Sequence, residues 1–277
     1  MRLSPFRSSW LVLPLLALGR LAAQESAPAE PFVLGTTEQL HSTALREVRL
    51  LNIALPQGYH PDSAARYPVV YLLDGSADED FIHIAGLYQF AAFPWLAWQP
   101  PSIVVGIANV DRKRDLTFPT SIAADKEKFP TTGGSAAFMD FLALEVIPLV
   151  EARYRTNGER ALIGQSLGGL FATEVLFKRP ALFGTYYIVS PSLWWDAESL
   201  LAQPATFLTD PDSAPARVYI AVGKEGRVME RDAKHLAALV RKSPRIRVGF
   251  NFLKEYDHAN ILHRAVLDGV RWRGEEK

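Results

Sequence analysis

The chain has 277 residues, and its 30 lysines and arginines balance its 30 aspartates and glutamates. A net charge of zero argues against broad electrostatic binding to nucleic acid or to an anionic membrane surface. Hydrophobic residues make up 48% and charged residues 22%, which is the composition of a folded protein and excludes global disorder. Because cysteine is absent, a disulfide scaffold, a thiolate metal site and a cysteine nucleophile are excluded as well.

The first residues have the features of an export signal. Residues 1–23 contain three arginines and no acidic residue, and residues 10–18 form a short apolar run. This run is far shorter than the ~20 residues that span a bilayer, so it predicts a signal peptide. We expect cleavage after Ala23 or Ala29 and a periplasmic or secreted mature chain with no stable membrane anchor; cleavage after Ala23 leaves a net charge of −3. An uncleaved anchor or a disordered leader is the alternative.

A short N-terminal segment, residues 24–44, precedes a single predicted domain at 45–277. In that domain, apolar runs typical of buried strands alternate with segments of helical spacing. The predicted strands are 48–55, 69–73, 103–107, 160–164, 186–189, 218–222 and 248–253. The predicted helices are 138–154, 167–178, 229–242 and 259–272. This alternation predicts an α/β fold with a mostly parallel central sheet and helices on both faces. Such sheets bind ligands beyond the carboxyl ends of their strands, where we therefore expect the catalytic residues.

A G-x-S-x-G sequence, with Ser166 at its centre, lies where a predicted strand meets a predicted helix. A tight turn of this type exposes the serine hydroxyl, and small residues two positions before and after it prevent clashes. The amide of Leu167 then lies at the helix N-terminus, where it can donate to a developing oxyanion. We expect the second oxyanion donor to be the amide of Ser76, with Gly75 next. An ordinary glycine-rich turn is the alternative interpretation.

A serine nucleophile needs a base, and His258 lies in the loop before the last predicted helix, where the chain order Ser, acid, His requires it. His263 lies within that helix and is expected to be a packing or surface residue. Glu225 follows a predicted strand and is the expected acid that orients the imidazole, with Asp196 and Asp257 as competitors. A Ser–His dyad without an acid is the remaining possibility.

Two further groups of residues follow strand ends and are candidates for binding substrate. Arg112, Lys113 and Arg114 form a basic cluster that can face an anionic substrate, although such clusters are more often solvated. Of these, we predict that Arg112 and Arg114 bind substrate. Trp194 and Trp195 are the second group and can form an aromatic wall, although one of two adjacent tryptophans is often in the core.

Together these motifs resemble an esterase family of α/β-hydrolases. It includes siderophore (enterochelin-type) esterases, S-formylglutathione hydrolases, feruloyl and acetyl-xylan esterases, and mycolyltransferases. The resemblance covers roughly residues 45–273 and is specific to the siderophore-esterase-like branch through the segments 70–75, 112–117, 141–148, 160–169 and 190–195. It implies an α/β-hydrolase fold with Ser166 as nucleophile, His258 as base and Glu225 as acid. Phe118 departs from the family's shorter R-D-x-T-P sequence, in a loop expected to overlook the site.

The sequence thus predicts an exported serine esterase that hydrolyses small-molecule carboxylic esters through an acyl-enzyme on Ser166. A siderophore-type ester is the most specific substrate it suggests. No metal-ligand motif, phosphate-binding loop or dinucleotide fingerprint is present in the sequence, so we predict no cofactor, no metal and no nucleic-acid partner. Three alternatives stay open: an acyltransferase with the same triad, a non-catalytic binding protein with a hydrolase fold and, less favoured, a peptidase.

Overall fold

A computed structural model describes residues 29–210, 215 and 217–275, and the chain divides into two compact units, residues 1–33 and 34–277. Of the first unit, residues 29–33 contain no helix or strand. The predicted signal peptide lies outside the described residues. The second unit contains the sheet and the helices that follow.

The second unit is built on one sheet, which has eight strands in the described part of the chain. In chain order the strands are β1 (Thr36–Ser42), β2 (Glu47–Ala54), β3 (Tyr67–Leu72), β4 (Ile103–Ile107), β5 (Thr156–Gln165), β6 (Thr185–Val189), β7 (Arg217–Gly223) and β8 (Arg247–Leu253). Their order across the sheet is β1-β2-β4-β3-β5-β6-β7-β8. β2 pairs antiparallel with both of its neighbours, and the other pairings are parallel. The predicted mostly parallel sheet is confirmed.

Helices fill the connections between the parallel strands. They are α1 (Phe81–Ala91), α2 (Arg112–Asp115), α3 (Ala123–Lys128), α4 (Ser135–Phe141), α5 (Ile147–Arg153), α6 (Leu167–Lys178), α7 (Ser199–Ala202), α8 (Thr206–Thr209), α9 (Arg227–Val240) and α10 (Leu262–Gly274). A π-helical turn, Leu142–Val146, joins α4 to α5, and two single turns lie at Pro180–Leu182 and Trp195–Glu198. Across residues 29–210 and 217–275, none of the helices has the length and apolar composition needed to cross a bilayer.

The segment predicted as one helix over 138–154 is therefore α4 and α5 with a π-helical turn between them. Pro148 lies in the first turn of α5. A proline is tolerated there because the amide it lacks has no partner inside the helix. The proline thus lies at the start of the second helix.

Hydrophobic side chains form a core on each face of the sheet, because successive side chains of a strand point to opposite faces. Along β3, Val69 and Tyr71 belong to the core cluster that includes α6 and α9. Val70 and Leu72 belong to the other cluster, which includes α1 and α10. Burying a side chain of this size contributes about 1.5–3 kcal/mol, so the two clusters clamp helices to both faces of the sheet.

The first strand lies upstream of the predicted domain. β1 pairs along its whole length with β2, so the sheet begins at Thr36 rather than at residue 45. Its sequence, TTEQLHS, is polar and mostly exposed because the strand forms one edge of the sheet. A polar edge strand has no apolar run by which the sequence could reveal it.

Candidate active site

β5 runs directly into α6 through a turn with Ser166 at its apex. Ser166 has φ 59° and ψ −120°, a backbone conformation that is strained for a residue with a side chain. Its amide donates to the Val189 carbonyl at 3.1 Å, and its own carbonyl accepts from the Leu170 amide at 2.9 Å. The turn is therefore held from β6 on one side and from α6 on the other, as in a nucleophile elbow.

Two glycines make this turn possible because their neighbours are backbone atoms that cannot move away. A Cβ at Gly164 would lie 2.3 Å from the carbonyl oxygen of Gly168. A Cβ at Gly169 would lie 2.9 Å from both the Val189 oxygen and the Pro191 Cα. Residues with side chains at these positions would push α6 away from the sheet and displace Ser166.

We expect Gly164→Ala to lower the melting temperature by about 4–8 °C, since overpacking of a tight site costs about 2 kcal/mol in a chain of this size. Gly86→Ala is the matched control, because no heavy atom lies within 4 Å of a Cβ built at Gly86 in α1. Thermal unfolding of both variants by circular dichroism checks this prediction. Equal melting temperatures for the two variants would contradict it.

Glu225 and His258 are in contact beyond the carboxyl ends of β7 and β8. Glu225 Oε2 lies 2.5 Å from His258 Nδ1. The other carboxylate oxygen accepts hydrogen bonds from the Gly223 amide, at 2.9 Å, and from the Ser190 hydroxyl. The Glu225 side chain is 3% exposed and that of His258 46%, so a buried acid orients an accessible imidazole. Because Nδ1 is engaged, Nε2 is the ring nitrogen that remains for proton transfer.

The hydrogen bonds around Glu225 also determine its ionisation. Burial raises the pKa of this carboxyl, but the hydrogen bonds from His258, Ser190 and Gly223 lower it further than burial raises it. The net pKa lies below the ordinary value for glutamate. The carboxylate is therefore ionised at neutral pH and can stabilise a protonated imidazole beside it.

The side chain before Ser166 connects the loop that contains His258 to the Ser166 turn. Gln165 Nε2 donates to the backbone oxygen of His258 at 2.6 Å. This bond joins the end of β5 to the loop after β8, across two intervening strands of the sheet. The structure thus brings the predicted nucleophile and base to the same edge of the sheet.

A turn after β6 contacts both the serine and the acid. Ser192 Oγ lies 3.4 Å from Ser166 Oγ, and the Ser192 amide donates to the Ser166 carbonyl at 3.0 Å. Two residues earlier, the Ser190 hydroxyl donates to Glu225. Within this segment the sequence pointed to the tryptophans and not to the serines. Its position at the carboxyl end of a parallel strand was the signal that could have identified its serines.

The two competing acids are engaged elsewhere. Asp196 accepts hydrogen bonds from Thr120 and Ser121, at 2.7–3.0 Å, and from Ser199 at 2.6 Å. Asp257 accepts from the amide of Ala259, two residues on, in a local turn. Among the three acidic candidates, the contact with the imidazole of His258 is made by Glu225.

The two predicted oxyanion donors differ in their availability. Leu167 is the first residue of α6, whose first amides have no partner inside the helix. The Ser76 amide donates to Glu79 Oε2 at 3.3 Å, a long bond to an exposed side chain. The amide of Gly75, the second choice, is bonded to the Ile107 carbonyl at 3.0 Å and continues the pairing of β3 with β4. Gly75 is therefore less available than Ser76.

The family model described as "Putative esterase" matches residues 42–264. The chain belongs to this family. The ferri-bacillibactin esterase BesA of Bacillus subtilis (strain 168) is 30% identical over 208 residues, which are 70% of this chain and 72% of the relative. The siderophore triacetylfusarinine C esterase of Aspergillus fumigatus is 30% identical over 200 residues, 64% of this chain and 63% of the relative.

A solved structure gives the same answer for the fold. The IroE-like serine hydrolase from Shewanella oneidensis is similar with a TM-score of 0.77 at 30% identity, covering 86% of this chain and 79% of that one. The esterase has an α/β-hydrolase fold, and it is a serine hydrolase that acts on carboxylic esters.

Arg112 lies at the edge of the site but its charge is balanced. Its guanidinium forms a bidentate pair with Asp74, at 2.6 and 2.9 Å, and also donates to the Gln165 carbonyl at 3.4 Å. Asn109 donates to the same carboxylate at 2.7 Å. Arg112 therefore links the loop after β3 to the nucleophile turn of the esterase, and a role in binding substrate stays a prediction.

Arg114 is part of an ion-pair network, and a role in binding substrate stays a prediction for it as well. It pairs with Glu47 at 2.6 Å and with Asp115 at 2.7 Å. The same two carboxylates neutralise Arg49, whose side chain is completely buried in β2. Arg114 thereby helps to compensate buried charges that would otherwise be costly, and it fastens α2 to the sheet.

Trp195 is completely buried, and its indole nitrogen donates to the Phe118 carbonyl at 2.9 Å. The prediction that it lines the substrate site is therefore wrong, and Trp195 is a core residue. Phe118, expected to overlook the site, is 5% exposed and belongs to the same core cluster. Trp194 is half-buried and remains accessible at the edge of the cluster.

Proposed function

We propose that Ser166, Glu225 and His258 form the catalytic triad and that the esterase works through an acyl-enzyme on Ser166. His258 Nε2 takes the hydroxyl proton as Ser166 Oγ attacks the ester carbonyl carbon. The protonated imidazole, stabilised by the Glu225 carboxylate, then gives this proton to the leaving alcohol. Water attacks the acyl-enzyme in the same way and releases the acid. The Glu225–His258 contact, held beside the Ser166 turn by the Gln165 hydrogen bond, is the observation that carries this proposal.

The amides of Leu167 and Ser76 are the proposed donors to the oxyanion of the tetrahedral intermediate. Leu167 gains from its place at the N-terminus of α6, where the helix dipole favours negative charge. For Ser76 to donate, the exposed Glu79 side chain has to release its long bond to the amide. Loss of one such donor typically costs about 10²–10³-fold in kcat.

A siderophore-type ester is the proposed substrate. The relatives named above are esterases of ferri-bacillibactin and of triacetylfusarinine C. In this chain, Lys113 and Lys128 lie over the rings of Phe129 and Trp194, with Nζ 4.9–5.7 Å from the ring centres. Trp194 lies two residues after Ser192, and the Ser192 hydroxyl contacts that of the proposed nucleophile Ser166. We call these four residues the cationic wall. Positive charge beside the half-buried Trp194 ring suits a planar anionic group such as a catecholate.

We propose the cationic wall as an anion-binding element in addition to Arg112 and Arg114, because the charges of those arginines are paired with carboxylates. We expect the double variant Lys113→Ala/Lys128→Ala to lower kcat/KM for a catecholate ester by about tenfold, since two charge contacts of exposed lysines together contribute about 1–2 kcal/mol. The rate with neutral p-nitrophenyl acetate stays unchanged. Lys126→Ala, exposed on the same helix α3, is the control. An equal loss with both esters would contradict recognition of charge.

The substrate assignment is tested by comparing a catecholate ester, a hydroxamate ester, p-nitrophenyl acetate and an acetylated sugar. We expect the highest kcat/KM for one of the two siderophore classes. Cleavage of the simple aryl or acetyl ester alone would overturn the assignment while leaving the esterase activity intact. Transfer of the acyl group to an added alcohol, at a rate above that of hydrolysis, would identify an acyltransferase with the same triad.

Export is proposed on the pattern of residues 1–23. Cleavage would leave an N-terminal segment and the esterase domain in the periplasm or the medium, without a membrane anchor. N-terminal sequencing of the protein recovered from each cell fraction tests this directly. A protein that begins at Met1 and sediments with membranes would contradict it.

A further inference from the structure

The turn Ser190–Pro191–Ser192, which we call the serine turn, lies between the two halves of the proposed triad. Ser190 is completely buried and Ser192 is 3% exposed, so neither hydroxyl is a solvated surface group. Buried hydroxyls require hydrogen-bond partners, and these two find theirs in the acid and the nucleophile. We infer that Ser190 is the positioning residue of the Glu225–His258 pair and that Ser192 positions Ser166. This inference rests on the proposed triad.

The serine turn is rigid enough for this role. The Ser190 amide donates to the Ala221 carbonyl of β7 at 2.8 Å, and the Ser192 amide donates to the Ser166 carbonyl at 3.0 Å. The ring of Pro191 fixes the backbone between them and packs against Gly169, where a Cβ would lie 2.9–3.1 Å from its atoms. The turn is therefore anchored to the strand that bears the acid and to the turn that bears the nucleophile.

Ser190 determines which carboxylate oxygen faces the imidazole. Its hydroxyl and the Gly223 amide both donate to Oε1, which leaves Oε2 for His258 Nδ1. Without the hydroxyl the carboxylate has one donor fewer and can rotate about its last bond. It also becomes more basic, because a hydrogen bond to the charged form stabilises that form. The protonated imidazole beside it is then stabilised more strongly.

These effects predict a change that a loss of packing alone would not cause. Stronger stabilisation of the protonated imidazole moves the acid limb of the kcat/KM profile to higher pH, because His258 is inactive as a base when protonated. Within the described residues, His258 is the titratable group that acts on Glu225, since the other hydrogen bonds to its carboxylate come from Ser190 and Gly223. Lys224 and Asp257, the charged residues next to this pair in the chain, are both exposed and are retained in every variant. The shift therefore reports on the Ser190–Glu225 bond.

The test uses Ser190→Gly, since Ser190 has φ 42° and glycine accepts that conformation without strain. We expect kcat to fall about tenfold with KM unchanged, and the acid limb to move up by about half a pH unit. Ser190→Ala removes the same donor and carries the test if the glycine variant unfolds. Ser192→Ala is expected to lower kcat severalfold without moving the acid limb, because it does not touch Glu225.

Ser102→Ala is the matched control. Ser102 is also buried, at 7% exposure, and its hydroxyl donates to the Pro100 carbonyl at 2.7 Å just before β4, at the other end of the sheet. It should lose stability but keep the wild-type pH profile and kcat. A Ser190 variant with wild-type kcat and acid limb would overturn this inference alone. Activity retained in Ser166→Ala would overturn the proposed triad instead.

Discussion

Replacing Ser166 by alanine is expected to lower kcat for ester hydrolysis by about 10⁴–10⁶-fold, because the variant has no atom to attack the carbonyl carbon. KM should change little, since the hydroxyl contributes to the chemical step and not to ground-state binding. The steady-state rate of p-nitrophenyl acetate hydrolysis and the size of its burst phase measure the loss.

The nucleophile and the base should also behave as one unit. The double variant Ser166→Ala/His258→Ala should be no slower than Ser166→Ala alone, because the imidazole has no proton to accept once the hydroxyl is gone. A loss of less than about 10²-fold in the single variant, with the fold intact, would contradict the role of Ser166. Additive losses would show that the two residues act separately.

The second large effect concerns the acid. Glu225→Gln should lower kcat by about 10⁴-fold, since an amide in this place can donate to His258 Nδ1 and hold the imidazole in the tautomer that cannot accept the serine proton. Wild-type Glu225 is almost completely buried, and its two oxygens are occupied by His258, Ser190 and Gly223. In the Glu225→Gln variant, a water molecule therefore has little room to replace the lost carboxylate contact with His258.

Glu255→Gln is the control for this change. Glu255 lies in the loop after β8, three residues before His258, and its side chain is 77% exposed. It should keep wild-type activity on the same ester. A loss of less than about tenfold in Glu225→Gln would favour a Ser–His dyad, the alternative that the sequence left open.

The strands of the parallel sheet were predictable because their burial on both faces leaves continuous apolar runs. Each predicted strand is present, and β4 has the predicted bounds at 103–107. β1 was missed because an exposed edge strand can be polar. α1 was missed because its apolar residues extend around the helix, with Ile82 57% and Phe90 44% exposed, so that no amphipathic period is visible.

The position of the proposed catalytic residues was predictable for a related reason. Parallel strands bring their carboxyl ends together, so a serine, an acid and a histidine that each follow a strand meet at one edge. Ser190 and Gln165 were not predictable, because their contacts join residues 35 and 93 positions apart. A sequence shows where each strand ends but not which side chains touch across the sheet.

The surroundings of the predicted substrate residues were less predictable, because residue type gives chemistry without direction. Arg114 and Trp195 have the charge and the aromatic surface that a binding site needs. Arg114, whose side chain is 32% exposed, compensates charge next to the buried Arg49, whereas Trp195 fills the core. Lys113, between the two predicted arginines, is the exposed residue of that cluster and lies over Phe129.

Labelling with a fluorophosphonate, followed by peptide mass spectrometry, is the most direct test of whether Ser166 is the nucleophile. The reagent reports an activated serine without requiring knowledge of the natural ester. We expect one adduct per chain, located on Ser166 and lost in His258→Ala. An adduct on another serine would contradict this role of Ser166. So would the absence of an adduct on folded protein under conditions in which a control hydrolase is labelled.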